Sequence, residues 1–196
     1  MRKILILIAI AALAFKVTPA LAQTTFADTF TVTGNLGLSS STALCTAAGT
    51  YTAFCPSADN CKCLSATKAS LHNGSTIITI PPGTTTVAVA KAKGDSTGTS
   101  PNPLGCFPAY AYVHYVANAP STDNALINIF GTLCKPLVAG APLNFSGGGA
   151  IESSSFVVGP FQASVVGWGT VTGTYDPAST ASPNLTLNLA AEANVL

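Results

Sequence analysis

Three leucines near the end of the chain, Leu185, Leu187 and Leu189, alternate with Thr186 and Asn188. A period of two puts successive side chains on opposite faces of an extended strand, with leucine to the core and Thr186 and Asn188 to solvent. The same period recurs along the chain. Phe26, Phe30 and Val32 alternate with Thr29, Thr31 and Thr33, and Val87, Val89 and Lys91 with Ala88, Ala90 and Ala92. Ile77 to Ile80 forms a short strand stopped by Pro81-Pro82-Gly83, and Ala109 to Val116 and Leu126 to Leu133 supply two more. After a break at Gly147-Gly148-Gly149, Ile151 to Val158 and Gln162 to Val166 read as a pair, and Gly167 to Thr174 as a further strand. No segment sustains apolar residues at i, i+3, i+4 and i+7, so no long helix is expected. Eight or nine short strands between Gly and Pro breakers specify an all-β, antiparallel single domain, closed as a barrel or stacked as a sandwich.

The start of the chain has a different grammar. Arg2 and Lys3 precede an unbroken apolar run from Ile4 to Phe15, and Thr18-Pro19-Ala20-Leu21-Ala22 supplies a breaker and an Ala-x-Ala site. That layout is a secretory signal peptide over residues 1–22, with a mature domain over 23–196. Lys16 ends the apolar run short of the roughly 20 residues that a membrane span needs, so no span remains after cleavage. The expected destination is outside the cytoplasm, secreted or periplasmic.

All six cysteines, Cys45, Cys55, Cys61, Cys63, Cys106 and Cys134, follow the leader. An even number behind a signal peptide implies disulfides in an oxidising compartment, with the pairing open. Cys61 and Cys63 share a face of an extended chain and are expected to bond different partners. A metal site from Cys55, Cys61, Cys63 and a histidine lacks the paired knuckles that zinc favours, so no metal or other cofactor is expected. Residues 34–72 hold four of the six and show little periodicity, which reads as a stapled, loop-rich region. Residues 94–105 and 176–183 read as polar loops.

Only 8% of the residues are charged, against about 25% in an ordinary domain. Three of the eight cations, including the single arginine, lie in the leader, leaving five against seven acids and a formal charge of −2. Nucleic acid, polyphosphate and acidic partners are thereby disfavoured. The two histidines leave little material for acid–base catalysis. No Gly-x-Ser-x-Gly elbow is present. Glu152, Glu192 and the five aspartates stand in no motif that would support a glycosidase pair. Asp28, Asp123 and Asp176 read as turn or edge residues, and His72, beside Asn73-Gly74, as a solvated loop histidine. The Asn-x-Ser/Thr matches at Asn73, Asn144 and Asn184 carry no role behind a leader of bacterial type.

Candidate binding residues are therefore aromatic. In Tyr110-Ala111-Tyr112-Val113-His114-Tyr115, a strand would place Tyr110, Tyr112 and His114 on one face. Such a row either lines a barrel cavity or forms an outer ladder of cross-strand pairs, the commoner arrangement. Trp168, the only tryptophan, stands between Gly167 and Gly169. A lone tryptophan in a small β domain is ordinarily a core anchor; glycines on both sides instead permit display at a rim.

The runs Cys55-Pro56-Ser57-Ala58-Asp59-Asn60-Cys61-Lys62-Cys63, Cys106-Phe107-Pro108-Ala109-Tyr110, Ile129-Phe130-Gly131-Thr132-Leu133-Cys134, Gly159-Pro160-Phe161 and Gly167 through Gly173 follow one another in order. In order and spacing the chain resembles a group of small secreted bacterial proteins with a dirigent or allene oxide cyclase-like β-barrel. That resemblance implies a closed barrel rather than a sandwich. It transfers no catalytic residue, since a mature chain without arginine lacks equivalents of the acidic and arginine side chains of the plant enzymes. Three functions follow as expectations. One is a non-catalytic barrel that binds an apolar or aromatic small molecule or serves a structural role. Another is a dirigent- or cyclase-like enzyme with an apolar cavity. The third is a carbohydrate-binding or adhesive protein. A low-charge, hydroxyl-rich exterior also suits association of copies of the chain.

Overall fold

A computed structural model describes residues 24–38, 61–75, 77–92, 105–134, 141–176, 178–179 and 183–196. The leader, Cys45, Cys55 and most of the loop expected at 94–105 lie outside the described residues, as do the side chains of Cys61 and Cys63. Nine strands follow in order: β1 (Thr24–Leu38), β2 (Cys61–Asn73), β3 (Ile78–Thr79), β4 (Gly83–Ala92), β5 (Cys106–Ala117), β6 (Asn124–Cys134), β7 (Leu143–Val158), β8 (Phe161–Tyr175) and β9 (Leu185–Val195). Among the described residues there is no helix.

The strands form an up-and-down meander. Each long strand pairs antiparallel with the next, β2 passes directly to β4, and β9 returns to β1. Eight strands thus close into a barrel, and β3 pairs outside the ring with the end of β7. Closure, not stacking, is how this sheet disposes of its edges. The barrel settles the alternative that composition left open.

Alternation decides what fills the barrel. Phe30 and Val32 on β1, Leu187 and Leu189 on β9, and Ile127 and Ile129 on β6 all point inward and are buried. An eight-stranded barrel has an interior that side chains just fill. Phe156 stacks there between Phe30 and Tyr115, at centroid distances of 6.2 and 6.4 Å. Outward positions carry hydroxyls instead, as in Thr29, Thr31 and Thr33 of β1 and Thr170, Thr172 and Thr174 of β8.

Two stretches differ from expectation. Of residues 34–72, expected to be loop-rich, 34–38 continue β1 and 61–72 are strand, because β2 completes the ring. A bulge opposite Asn35 and Leu36 leaves Thr67 unpaired, so the inward set shifts phase from Leu64 and Ala66 to Ala69 and Leu71. A phase shift of one residue erases the period of two. Gly147 to Gly149 do not break the chain; β7 runs through them, and β8 is likewise continuous from Phe161 to Tyr175. A second bulge in β7 interrupts its ladder with β8, and Ser154 stitches the gap. The Ser154 hydroxyl accepts from the Val165 amide at 3.2 Å and donates to the Val165 carbonyl.

Cys106 and Cys134 stand directly opposite each other on β5 and β6 and form a disulfide at one end of the barrel. Among the described residues no cysteine is free.

Candidate binding surface

The aromatic row of β5 faces outward. Phe107, Ala109, Ala111, Val113 and Tyr115 take the inward positions, leaving Tyr110, Tyr112 and His114 on the outer wall. The lumen-lining arrangement is thus excluded for these three, and the cross-strand ladder is what forms. Tyr110 packs against Phe130 of β6 with ring centroids 4.7 Å apart and donates its hydroxyl to Asn128 Oδ1. It is only 2% exposed, so its ring is committed to the fold. Tyr112 is half-buried, with the exposed His114 ring 6.4 Å away. A continuous platform does not arise, because burial removes one end of the row.

Trp168 is placed otherwise than a core anchor. Its indole is 63% exposed on the outer face of β8. The flanking glycines explain this. Gly167 and Gly169 point inward where β8 lies close on β9; a Cβ at Gly167 would come within 2.6 Å of the Glu192 carbonyl oxygen. Residues on either side of Trp168 must therefore be glycine, and the residue between them faces solvent. The cross-strand neighbours of Trp168 are Ala150 on β7 and Glu192 on β9, and Glu192 in turn faces Ala27 on β1. Two alanines leave the ring uncovered.

Beside the indole lies an open groove of about 520 Å³, lined by Ala27, Thr29, Ser75, Thr170 and Glu192 among others. Asp28 also lines it, although only 6% exposed. Its Oδ1 accepts from the Thr29 amide at 2.7 Å, and its Oδ2 has no hydrogen-bond partner among the described residues. Burial pushes the Asp28 carboxyl above the ordinary aspartate range, against hydrogen bonds from the Thr29 and Ser75 backbone that pull it down. The sequence reads Asp28 as a turn or edge residue. It is one, since β1 pairs with β2 only from Phe30 onward, but the turn at Gly74 covers it by donating to the Thr29 carbonyl at 2.7 Å.

The remaining candidates are dispersed. Asp123 lies in the β5–β6 connection as expected, yet is 1% exposed and accepts from Gln162 Nε2 at 2.8 Å. Burial, then the Asp123 charge, pushes the Tyr115 phenol above its ordinary value. His72 belongs to β2, not a turn; it is exposed and shares a 2.9 Å hydrogen bond with Ser70 Oγ. The amides of Asn73 and Asn184 serve the fold: Asn73 donates to the Ile78 carbonyl, and Asn184 brackets Leu36, accepting from its amide at 2.7 Å and donating to its carbonyl at 3.0 Å. Among the described residues no three His, Cys, Asp or Glu side chains gather as a metal site. Compared with family models, curated proteins and solved structures, the chain matches none.

Proposed function

We propose that this is an exported, non-catalytic β-barrel protein that binds a neutral saccharide on its outer wall, in the groove beside Trp168. The observation that carries the reading is an indole 63% exposed at a groove edged by hydroxyls and a carboxylate. A pyranose ring has an apolar C–H face that lies flat on an indole, and a rim of hydroxyls that needs donors and acceptors around it. Thr29, Ser75 and Thr170 offer both, and Glu192 accepts. No lysine or arginine lines the groove and Glu192 does, which disfavours an anionic ligand. The Cys106–Cys134 bond is consistent with an oxidising compartment. A dirigent- or cyclase-like reaction would need room in the lumen; the inward side chains of these strands instead pack against one another, which favours a binder over an enzyme.

Trp168 is also the only tryptophan, so its fluorescence reads this groove alone. Titration with neutral oligosaccharides is expected to shift the emission saturably, with little dependence on salt. Trp168→Ala is expected to abolish the calorimetric heat of binding while changing stability by no more than about 0.5 kcal/mol, since the ring is exposed. Unchanged emission across the sugar panel, or undiminished binding by Trp168→Ala, would overturn the proposal.

A further inference from the structure

The outer wall displays a second large ring. Phe130 on β6 is 50% exposed, while Ile129 beside it is buried in the core. The ring is steadied from one side. The buried Tyr110 packs against it with centroids 4.7 Å apart, and the Tyr110 hydroxyl is in turn held by Asn128. An exposed ring already fixed by its neighbours loses little freedom when a ligand covers it.

The ladders place Phe130 relative to Trp168. Phe130 lies opposite Gly148 on β7, and Gly148 opposite Thr170 on β8; Trp168, two residues before Thr170, lies opposite Ala150. The two rings are therefore two strand spacings apart and two residues out of step, about 12 Å between Cα atoms by ladder geometry. The outward residues of β7 between them, Gly148 and Ala150, are small, so both rings rise above the floor that separates them. Packing does not demand a glycine at 148. A Cβ on Gly147 or Gly169 would run into a carbonyl oxygen of the adjoining strand, whereas one on Gly148 would meet nothing nearer than 3.6 Å. Glycine inside a strand weakens it, and here no neighbouring strand requires it. On the far side of Trp168 lies the groove edged by β9 and β1. Groove, indole, low floor and Phe130 thus follow one another across the strands.

We infer that the site beside Trp168 continues over β7 to Phe130 and takes an extended, neutral, β-1,4-linked oligosaccharide chain laid across the strands, with separate sugars stacked on the two rings. The inference rests on the reading of the Trp168 groove as a saccharide site. A single pyranose cannot cover rings about 12 Å apart, so the second ring serves only a chain. The outside of a barrel is convex, and a chain that coils on itself would touch one ring alone, whereas an extended one reaches both. Gly148, Ala150 and Thr170 bring no charge between the rings, and the exposed carboxylates of Glu152 and Glu192 at the margin disfavour an anionic chain.

The test titrates the purified protein, by calorimetry and Trp168 emission, with the disaccharides and hexasaccharides of the β-1,4-linked glucose and N-acetylglucosamine series. Maltose and maltohexaose, whose chain coils, are the comparison. In a β-1,4 series the hexasaccharide is expected to bind about thirtyfold more tightly than the disaccharide, with no such gain from maltose to maltohexaose. Phe130→Ala is expected to lower hexasaccharide affinity about tenfold and to leave disaccharide affinity unchanged. Because Phe130 also packs on Tyr110, Gly148→Leu supplies a variant that keeps both rings and raises the floor between them; it is expected to remove the same gain while disaccharide binding persists. Equal affinity for disaccharide and hexasaccharide, undiminished hexasaccharide affinity in either variant, a loss shared equally by the disaccharide, or an equal gain for maltohexaose would each overturn the inference and leave the Trp168 reading standing. Emission unchanged by every sugar would overturn both.

Discussion

The wall made by β8, β9 and β1 and the seam between β2 and β4 use similar residues and expose different ones. In the wall, the ladders run unbroken from Val165–Val195 to Tyr175–Leu185 and from Thr24–Val195 to Gly34–Leu185. Nothing inward is reachable through it, so whatever it recognises must be met by outward side chains such as Trp168. At the seam the ladder ends at Ser65–Ala88, and an open cavity of about 330 Å³ reaches inward side chains such as Leu71. Backbone pairing, more than side-chain type, decides which residues of this barrel meet solvent.

The sharpest way to break that comparison is to put a charge on each face of one strand. Leu187 is fully buried within the wall, whereas the neighbouring Asn188 faces out and accepts from Thr31 Oγ1 at 2.9 Å. Leu187→Asp is expected to cost about 4 kcal/mol or more, through an unpaired charge and a lost core side chain. Asn188→Asp keeps the acceptor and is expected to stay within about 1 kcal/mol of the parent. Denaturant titration of the two variants measures the difference. Equal loss would mean that the wall does not separate inside from outside.

A smaller effect tests how closely the strands must approach. Gly147 and Gly148 are adjacent in β7, but a Cβ on Gly147 would run into the Phe130 carbonyl and Gly131 on β6, while one on Gly148 would find its nearest neighbour, the Gly169 carbonyl oxygen, at 3.6 Å. Gly147→Ala is expected to cost about 1–3 kcal/mol by forcing β6 and β7 apart. Gly148→Ala is expected to be neutral or to stabilise by about 0.5 kcal/mol, because alanine loses less backbone freedom on folding. Urea midpoints that rank the two the other way would sink this account of β7.

These glycines also show where sequence reading stops. The strands that were legible, β1, β5 and β9, keep a clean period of two, and the leucines of β9 face inward as their spacing requires. β2 was hidden by a one-residue bulge, and the start of β7 by a glycine run that resembles a linker. Glycine there answers to a neighbouring strand rather than to a turn, and a single strand's sequence carries no record of what lies beside it. The outward face of Tyr110, Tyr112 and His114 was one of two open readings, and only ring closure chose it. A lone tryptophan reads first as a core residue; the glycines on both sides are the signal that points outward. Nothing marked Asp28, because a missing partner is a property of the assembled barrel.

The smallest effect concerns Asp28, at the junction of the two regions. Before Phe30, β1 has β9 along one edge but no β2 ladder along the other, and the buried carboxyl occupies that fringe. Burial raises its pKa from the usual 3.8, so the folded protein holds this proton more tightly than the unfolded chain does. By linkage, the contribution of Asp28 is fully present below the unfolded value and is lost as pH rises through the folded one. Ionised Asp28 is thus a cost at neutral pH that an amide would not carry. Asp28→Asn is therefore expected to melt with the parent below about pH 3.5 and above it at pH 7, with the gap opening between the unfolded value and the raised one. Thermal melts of the two proteins across that range decide the point. A gap that opens instead toward acid would mean that the carboxylate is stabilised by its Thr29 and Ser75 hydrogen bonds more than burial disfavours it. In that case the fringe of β1 would be as well paired as the rest of the wall.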